Sequence, residues 1–493
     1  MTLSAHFPVL QVVVPLVSAP LAVLARRATA AYAIVMFASW IAFGLAIALT
    51  MQVRSEGVVS YPIGNWPPPW GIEYRIDALS SFVLLLVSAV AAVVLPYCRR
   101  SIEHEVPREQ HYLFYSMFAL CLAGLLGIAA TGDAFNAFVF IEISALASYV
   151  LIALGRDRKA LVASYQYLIL GTIGATFFVI GIGMLYLMTG TLNLADMSER
   201  LAATSDLRPV LTAAAFITVG MSLKLALFPL HQWLPNAYTY APSAVSAFIA
   251  ATGTKVSIYV LMRFYFSVFG AGLVFELAVG EVLLVLSLAA MFIASAIAVV
   301  QSDFKKLLAY SSVAQVGYIT LGLSLESVSG LTASIVHLVN HGMTKAGLFM
   351  LVGGAVLVTG GSGMDRLAGL RRTMPLTSFG IVLGGLGLIG IPGTAGFISK
   401  WQLVLAAMER QEWWLVFAIV ASSLLAVAYV WRFVEVAYFR EPSNPADRRR
   451  EAPATMLVPA VMVIAASIYF GLDSSLTLGG AATAADFLLG TSR

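Results

Sequence analysis

Long apolar runs, separated by short polar stretches, recur along the whole chain. Fourteen of these runs are close to the length of about 20 residues that a helix needs to cross a bilayer. They lie at 8–24, 31–51, 79–97, 112–130, 134–154, 165–189, 210–229, 244–267, 273–300, 307–324, 328–358, 377–399, 412–438 and 455–472. A transmembrane β-barrel would instead alternate over segments of about 10 residues, and the sequence has no such segments. The pattern predicts an all-α polytopic membrane protein with about fourteen transmembrane helices.

The composition agrees with this prediction. Of the 493 residues, 60% are hydrophobic and 11% are charged, whereas a soluble domain carries about 25% charged residues. The longest loops, all too short for a soluble domain, lie at 52–78, 190–209, 359–376 and 439–454. The two cysteines have neither disulfide nor metal-binding spacing, and we expect no cofactor. The first apolar run lacks a basic flank and a cleavage site, so we interpret it as a retained helix. Residues 1–493 are therefore predicted to form one integral membrane domain.

The basic residues of the loops predict the orientation. Seventeen fall in one set of alternate loops: Arg26, Arg27, Arg99, Arg100, Arg108, Arg156, Arg158, Lys159, Lys305, Lys306, Arg366, Arg371, Arg372, Arg440, Arg448, Arg449 and Arg450. Seven fall in the other set: Arg54, Arg75, Arg200, Arg208, Arg263, Arg410 and Arg493. Cytoplasmic loops carry the excess of Lys and Arg. The bias predicts a multi-pass protein of the inner (plasma) membrane with both termini outside.

Five cations remain, all within apolar runs or at the end of one: Lys224, Lys255, Lys345, Lys400 and Arg432. A Lys or Arg at the bilayer centre costs about 2.5–3.5 kcal/mol on insertion scales. Glu142 is the single carboxylate near the middle of the fifth run. His337, His341 and Lys345 recur at i, i+4 and i+8, so they stack on one helix face. Ionisable residues inside a membrane are candidates for function by default.

Several of these residues also have structural interpretations. Lys400 could extend its ammonium to the membrane interface, and Arg432 with Glu435 is predicted to form an interfacial pair at i, i+3. His337 and His341 could be hydrogen-bonded core residues or proton carriers. A metal is not expected at the two histidines, because no third ligand accompanies them on that helix. Glu142 could serve only to neutralise a lysine.

Buried lysines and carboxylates are suited to moving protons. Desolvation lowers the pKa of a lysine by up to several units, and a neighbouring carboxylate restores it. A carboxylate that moves or changes charge therefore makes its lysine partner bind or release a proton. On this basis a Glu–Lys pair can act as a switch, and a row of Lys and His can conduct protons.

Two apolar runs are interrupted close to a lysine. Pro229 and Pro235 follow Lys224, and the stretch 389–401 has Pro392, Gly393 and Gly396 before Lys400. Broken helices are tolerated in membranes only against protein or a wet cavity, and in transporters they mark ion sites between inverted repeats. Five helices lie in each half, so the second half enters the membrane from the opposite side. We predict N-terminal helices in 1–110, one repeat in 111–267, its inverted copy in 268–440, and a final helix in 441–493.

Four motifs resemble a known superfamily. They read GMSLKLALFPLHQWLPNAYTYAPSAVSAFIAATGTK (220–255), QSDFKKLLAYSSVAQVGYI (301–319), LVNHGMTKAGLF (338–349) and GIPGTAGFISKW (390–401). In this order they resemble the proton-translocating antiporter-like subunits of respiratory complex I, membrane-bound hydrogenases and Mrp-type multisubunit cation/proton antiporters. The stretch GNWPPPWGIEYRID (64–77) and the overall length are similar to the Mrp D subunit.

The resemblance implies roles for individual residues. Glu142 is expected to pair with Lys224 at the first broken helix, Lys255 to bridge the two halves, and Lys400 to end the relay at the second broken helix. His341 matches the histidine of the VNH motif, with Lys345 one turn further on. Some relatives have a histidine where this chain has Gln315, which leaves open how Lys255 communicates with His341. Three further side chains could hold waters beside the relay: Tyr149, Ser222 and Tyr310.

The sequence thus predicts a secondary-transporter subunit and not an enzyme. Its expected activity is proton translocation within a multisubunit Na⁺/H⁺ antiporter, with Mrp-type subunits, protons, Na⁺ and the bilayer as partners. The alternative is a proton-pumping subunit of complex I or a membrane-bound hydrogenase. A purely structural set of charges is disfavoured, because five buried cations face one central carboxylate. No P-loop, GxSxG or HExxH motif is present, and no nucleic-acid partner is expected.

Overall fold

The computed structural model describes residues 3–270, 272, 279–442 and 450–490, and almost all of them are helical. The helices are α1 (Phe7–Ala25), α2 (Ala28–Glu56), α3 (Ala78–Glu105), α4 (His111–Ala130), α5 (Ala134–Ala153), α6 (Arg158–Thr189), α7 (Leu194–Ala202), α8 (Arg208–Leu225), α9 (Trp233–Tyr240), α10 (Ser243–Val268), α11 (Val279–Val299), α12 (Phe304–Ser324), α13 (Val328–Thr359), α14 (Pro375–Ile389), α15 (Ala395–Glu409), α16 (Trp413–Phe439), α17 (Ala454–Leu472) and α18 (Ser475–Leu489). A four-residue turn of helix, Leu370–Thr373, precedes α14.

The predicted all-α membrane fold is confirmed. Within the described ranges, thirteen helices are long and apolar enough to cross a membrane. The remaining predicted span, the twelfth at 377–399, is present as two shorter helices, α14 and α15. The short C-terminal helix α18 was not predicted, and neither was a hairpin of β1 (Val59–Pro62) and β2 (Glu73–Ile76) in the loop before α3. Three of the basic residues that predicted the orientation lie outside the described residues: Arg448, Arg449 and Arg493.

The most polar spans form the centre of the bundle. Most residues of α10, α12 and α13 are buried, whereas α1, α2 and α16 expose most of theirs. Lipid tails are as apolar as a leucine side chain, so apolarity alone does not draw a helix inward. Polar side chains do draw a helix inward, because a lysine, histidine or hydroxyl facing lipid would lack a hydrogen-bond partner. The charged residues therefore lie where the helices are most completely surrounded by protein.

Both predicted helix breaks are present, and each leaves carbonyls that need donors. The first lies between α8 and α9, where Ala226 adopts a left-handed conformation at φ 60°. The indole Nε1 of Trp233 donates to the Leu223 carbonyl there at 2.8 Å. The second break follows α14, with Gly390 at φ 87°, a conformation that glycine adopts without a steric penalty. The two broken helices thus end in differently capped half-helices.

One local arrangement occurs twice in the bundle. Asp133 accepts a hydrogen bond from the first turn of α5, and Asp303 does the same for α12. Asp133 also forms a β-bridge with Asn193, just after the 32-residue helix α6. Asp303 forms the equivalent bridge with Gly363, just after the 32-residue helix α13. The arrangement around Asp133 lies beside the C-terminal end of α10, and the one around Asp303 lies beside its N-terminal end. Opposite placement of equivalent sites is what an inverted repeat produces. The proposed repeat boundaries stay a prediction.

Helices α6 and α8 approach through glycine, and this contact holds the first broken helix. A Cβ on Gly220 would lie 2.6 Å from the Gly174 carbonyl oxygen and 2.8 Å from the Phe178 nitrogen. Gly220→Val is therefore expected to separate the helices and destabilise the protein by about 1–3 kcal/mol. The thermal midpoint of the detergent-solubilised protein measures the loss. Gly183→Val is the control, because a Cβ at Gly183 of α6 meets nothing within 4 Å. Equal midpoints for the two variants would contradict the packing argument.

Candidate functional site

The first element of the site is an ion pair beside the first helix break. Lys224 lies in the last turn of α8, and its Nζ is 3.0 Å from the Oε1 of Glu142 on α5. The lysine side chain is 4% exposed and that of the glutamate 22%. The lysine is thus enclosed by protein, while the carboxylate lies nearer the outer surface of the bundle. The structure brings together the two residues that the sequence paired.

A small cavity adjoins this pair on its inner side. Its volume is about 30 Å³, and its wall includes Lys224 together with Ser144, Ser148 and Thr252. A water molecule needs roughly 10–15 Å³ by this measure and two to four polar partners. The cavity therefore has room for one or two waters between Lys224 and α10, the helix that carries Lys255. The cavity thus extends from Lys224 to the Thr252 turn of α10, while Lys255 itself is not part of its wall.

Lys255 is completely buried in the middle of α10. Its Nζ donates to the Ala250 carbonyl at 2.6 Å and to Thr254 Oγ1 at 3.3 Å. Both acceptors belong to its own helix and both are neutral. A buried ammonium without a negative partner is costly. The bridging role of Lys255 stays a prediction.

The predicted row on α13 is present, and its first member is held on two sides. His337 Nδ1 lies 2.7 Å from Ser399 Oγ on α15, and its Nε2 lies 2.9 Å from Gln315 Oε1 on α12. Gln315 therefore contacts the row directly, which the sequence left open. The rings of His337 and His341 are stacked at 6.1 Å between centroids. Both ring nitrogens of buried His341 lack a hydrogen-bond partner among the residues that the structure describes.

Lys345 continues the row one turn beyond His341. It is completely buried, and its Nζ donates to the Leu308 carbonyl at 2.7 Å and to Ser311 Oγ. Both acceptors lie on α12. Lys345 thus ties the relay helix α13 to α12 through neutral acceptors, as Lys255 is held within α10. Both lysines are thus completely buried and donate to neutral acceptors.

Lys400 turns its ammonium into the bundle at the second helix break. Its Nζ donates at 3.0 Å to the Leu388 and Ile389 carbonyls, the last two of α14, and at 3.1 Å to Ser423 Oγ. It also lies 4.3 Å from the ring centroid of Tyr318. The residue is 6% exposed, so it does not extend to the membrane interface. A cation at the C-terminal end of a half-helix is stabilised by the helix dipole.

Of the three side chains predicted to hold waters, Tyr149 is placed to bind one. The hydroxyl of Tyr149 is buried and has no partner among the described residues, and its ring packs edge-on against Tyr167. Ser222 is buried within α8, two residues before Lys224. Tyr310 is partly buried and contacts His231, 6.2 Å between centroids, away from the row on α13.

The predicted pair of Arg432 and Glu435 is wrong. The guanidinium of Arg432 donates to the Val299 carbonyl at the end of α11, where a helix leaves unpaired carbonyls. Glu435 instead pairs with Arg440 at 2.9 Å. Residues Glu435–Phe439 are wound as a π-helix, so the i, i+3 spacing of a regular helix does not continue past Glu435. Arg432 anchors α16 to α11 and is separate from the relay.

Two buried charged clusters were missed because the sequence placed their cations in loops. Arg263 forms an ion pair with Asp77, the N-cap of α3, and its Nε donates to the Tyr259 hydroxyl at 3.1 Å. Lys305 is buried in the first turn of α12. A signal existed for the first cluster, since Asp directly before an apolar run is a common N-cap. No such signal identified Arg263 as the partner of Asp77.

Breaking the Asp77–Arg263 pair should destabilise the protein strongly. Arg263→Met leaves a buried carboxylate without its counter-charge, a change that costs roughly 3–5 kcal/mol. Asp77→Asn combined with Arg263→Met removes both charges and keeps the N-cap, and we expect it to recover most of the thermal midpoint. If the double variant melts no higher than the single one, the pair is not what stabilises this end of α10.

The fold and the row of buried charges together define a class: an antiporter-like membrane subunit with two broken helices. A profile described as "NADH:quinone oxidoreductase/Mrp antiporter, TM" matches residues 131–426. The chain belongs to this family. It is 42% identical over 495 residues to NADH-quinone oxidoreductase subunit N of Desulforudis audaxviator, covering 95% of this chain and 96% of the relative.

Mrp-type proteins are similar as well, which confirms the resemblance to Mrp D subunits. The D subunit of the Na(+)/H(+) antiporter from Alkalihalophilus pseudofirmus is 31% identical over 427 residues, covering 87% of this chain and 85% of the relative. A chain of the Mrp complex from Dietzia sp. DQ12-45-1b superposes with a TM-score of 0.91 at 26% identity. That superposition covers 100% of this chain and 98% of the other.

Proposed function

We propose that this chain translocates protons across the membrane as one subunit of a multisubunit complex. The observation that carries the proposal is the enclosed pair of Lys224 and Glu142, with 3.0 Å between Nζ and Oε1, at the end of a broken helix. A change in the charge or position of Glu142 alters the proton affinity of Lys224. The pair thus acts as the switch of the relay.

We propose the following route for the rest of the relay. The proton passes from Lys224 through the small cavity to Lys255, and from there to His341, whose two ring nitrogens have no protein partner among the described residues. Lys345 exchanges protons with His341 from the adjacent turn. His337 and Ser399 lead to Lys400, where the proton leaves. The membrane potential contributes about 2.3 kcal/mol per charge for each 100 mV.

Two settings are candidates, and a different observation favours each. A Na⁺/H⁺ antiporter complex is favoured by the superposition on a chain of the Mrp complex over the whole length. A pump subunit of an NADH–quinone oxidoreductase is favoured by the 42% identity to a subunit N. In the first setting the proton flux drives Na⁺ efflux through partner subunits, and in the second a redox reaction in partner subunits drives the proton. We place both termini on the outer side of the plasma membrane in either setting.

The test is to purify the tagged chain with its native partners and reconstitute the complex in liposomes. Proton uptake driven by an imposed Na⁺ gradient, without redox substrates, supports the antiporter setting. Uptake that requires NADH and a quinone supports the pump setting. The identity of the co-purifying subunits provides an independent check. Proton movement under neither condition, from a complex whose subunits are all present, would refute the proposed function.

A further inference from the structure

A slot runs along the flank of the bundle between α2 and α17, with α3 and α13 at its base. Its volume is about 500 Å³, within the range of about 300–1,000 Å³ that ligand sites occupy. Met51 of α2 and Met462 of α17 line its rims and are 67% and 59% exposed, so the slot opens toward the bilayer between them. Val90 of α3 and Val339 of α13 are buried at its base. No residue of the proposed relay lines it.

The wall of the slot is apolar along almost its whole length. Besides aliphatic, methionine and phenylalanine side chains it contains two threonines and one charged residue, Arg54. The Thr50 hydroxyl donates to the Ala46 carbonyl at 2.7 Å, and the Thr477 hydroxyl donates to the Ser474 carbonyl at 3.3 Å. Both threonines thus use their donors within their own helices. The slot therefore suits a hydrocarbon chain, since lipid tails are as apolar as a leucine side chain.

At one end the slot joins a second chamber of about 600 Å³, between the end of α2, the start of α3 and α18. Thr50, Arg54 and Phe82 belong to the walls of both cavities. A Cβ on Gly479 of α18 would meet nothing within 4 Å, so α18 does not close the chamber. Asp486 of α18 lies on the same wall. The apolar slot thus leads into a wider chamber that carries charges of both signs.

Arg54 lies where the slot and the chamber meet, in the last turn of α2. The end of a membrane span is the level of the lipid headgroups. Arg54 is exposed, and it forms no hydrogen bond or ion pair with any residue in the part of the chain that the structure describes. A guanidinium binds phosphate through two parallel hydrogen bonds, and basic pockets between membrane helices bind lipid headgroups. The cation at the end of the apolar slot therefore complements a phosphate.

The base of the slot is the reverse side of the helix that carries the charged row. Val339 follows His337 by two residues, a rotation of about 200° around a helix with 3.6 residues per turn, so it faces away from the row. A Cβ on Gly342 would lie 3.4 Å from both terminal methyl carbons of Leu86, another residue of the slot wall. A molecule in the slot thus packs against α13 on the side opposite to His337.

We propose that the slot and the chamber together bind one zwitterionic phospholipid. One acyl chain lies in the slot, the phosphate lies on Arg54, and the headgroup ammonium faces the carboxylate of Asp486. This order of hydrocarbon, anion and cation matches the order of the walls, from the apolar base past Arg54 to Asp486. The rival occupant is an apolar helix of a partner subunit, which would cover the slot without supplying an anion to Arg54.

A photoactivatable lipid tests the site in the complex purified with its native partners. The complex is reconstituted in liposomes that contain phosphatidylethanolamine with a diazirine at the end of one acyl chain, and labelled residues are identified by mass spectrometry. We expect label at the buried base of the slot, at Val90 or Val339, which lipids of the surrounding bilayer do not reach. Arg54→Gln should lower this labelling roughly fivefold, the contribution of one basic residue near a membrane surface. Arg208→Gln is the control, because the exposed Arg208 lines neither cavity.

A steric variant tests the same site without changing its charge. Ala466→Trp places an indole in the slot from α17 and should reduce labelling of the base to background. Ala465→Trp is the matched control, since the neighbouring Ala465 is exposed and does not line the slot. Unchanged labelling of the base in either Arg54→Gln or Ala466→Trp would overturn the site. An unlabelled base in the wild-type complex would overturn it as well, in favour of a helix from a partner. Labelling is measured without proton transport, so neither result depends on the proposed function.

Discussion

Lys224→Ala is expected to abolish proton transport while leaving the protein assembled in the membrane. The ammonium of Lys224 is enclosed at the end of α8 and faces Glu142 at 3.0 Å, and alanine leaves no proton-carrying group at this position. Loss of a positioned proton-transfer group costs on the order of 10²–10⁴ in rate. Vesicles that contain the variant should show background acidification only. Glu142→Ala should have the same effect, because it removes the charge that sets the proton affinity of Lys224.

The double variant Glu142→Gln, Lys224→Met shows whether the pair carries protons or only locks α5 to α8. Removing both partners of a buried pair leaves no uncompensated charge and is often neutral for stability. A structural pair would therefore recover activity in the double variant, and a proton switch would not. Lys159→Ala is the control, since Lys159 is an exposed lysine in the first turn of α6. Full transport by either single variant, at normal expression, would contradict the relay.

The residues of this pair could be predicted because the bilayer makes them conspicuous. A charge inside an apolar run is costly wherever the helix faces, so Lys224, Lys255 and Glu142 are visible in the sequence without any knowledge of packing. The same holds for the broken helices, since Pro229 cannot continue a regular helix. Apolar length and proline position together define the spans and their interruptions.

The contacts that were missed depend on the rotation of each helix and on where its ends lie. In lipid both faces of a helix are apolar, so periodicity does not identify the inward face. Gln315 looks like an ordinary polar residue in the sequence, yet it faces His337 at 2.9 Å. Lys305 lies at a helix end, where a lysine is expected to reach water, and the fold encloses it under Ala241. Such burial follows only from the packing of α12 against the start of α10.

Lys400 can be tested as sharply as Lys224, because one substitution separates its two roles. Its ammonium caps the last two carbonyls of α14 and is also the proposed exit of the relay. Arginine retains both the positive charge and enough donors for those carbonyls, but it does not deprotonate in proteins. Lys400→Arg is therefore expected to keep the wild-type thermal midpoint in detergent and to lose proton flux by on the order of a hundredfold.

Lys400→Ala should show both losses together. It leaves the part-buried Ile389 carbonyl without its donor and the Leu388 carbonyl with only the 3.4 Å hydrogen bond from Gln315 Nε2. An unpaired group of this kind costs about 1–3 kcal/mol, so the thermal midpoint should fall as well as the flux. Lys159→Arg controls for the effect of a lysine-to-arginine substitution itself, because the exposed Lys159 is not part of the proposed relay. Wild-type flux in Lys400→Arg would mean that Lys400 only caps the half-helix. The proton would then have to leave the relay from His337, His341 or Lys345, because these residues are the other titratable members of the proposed relay in the second half.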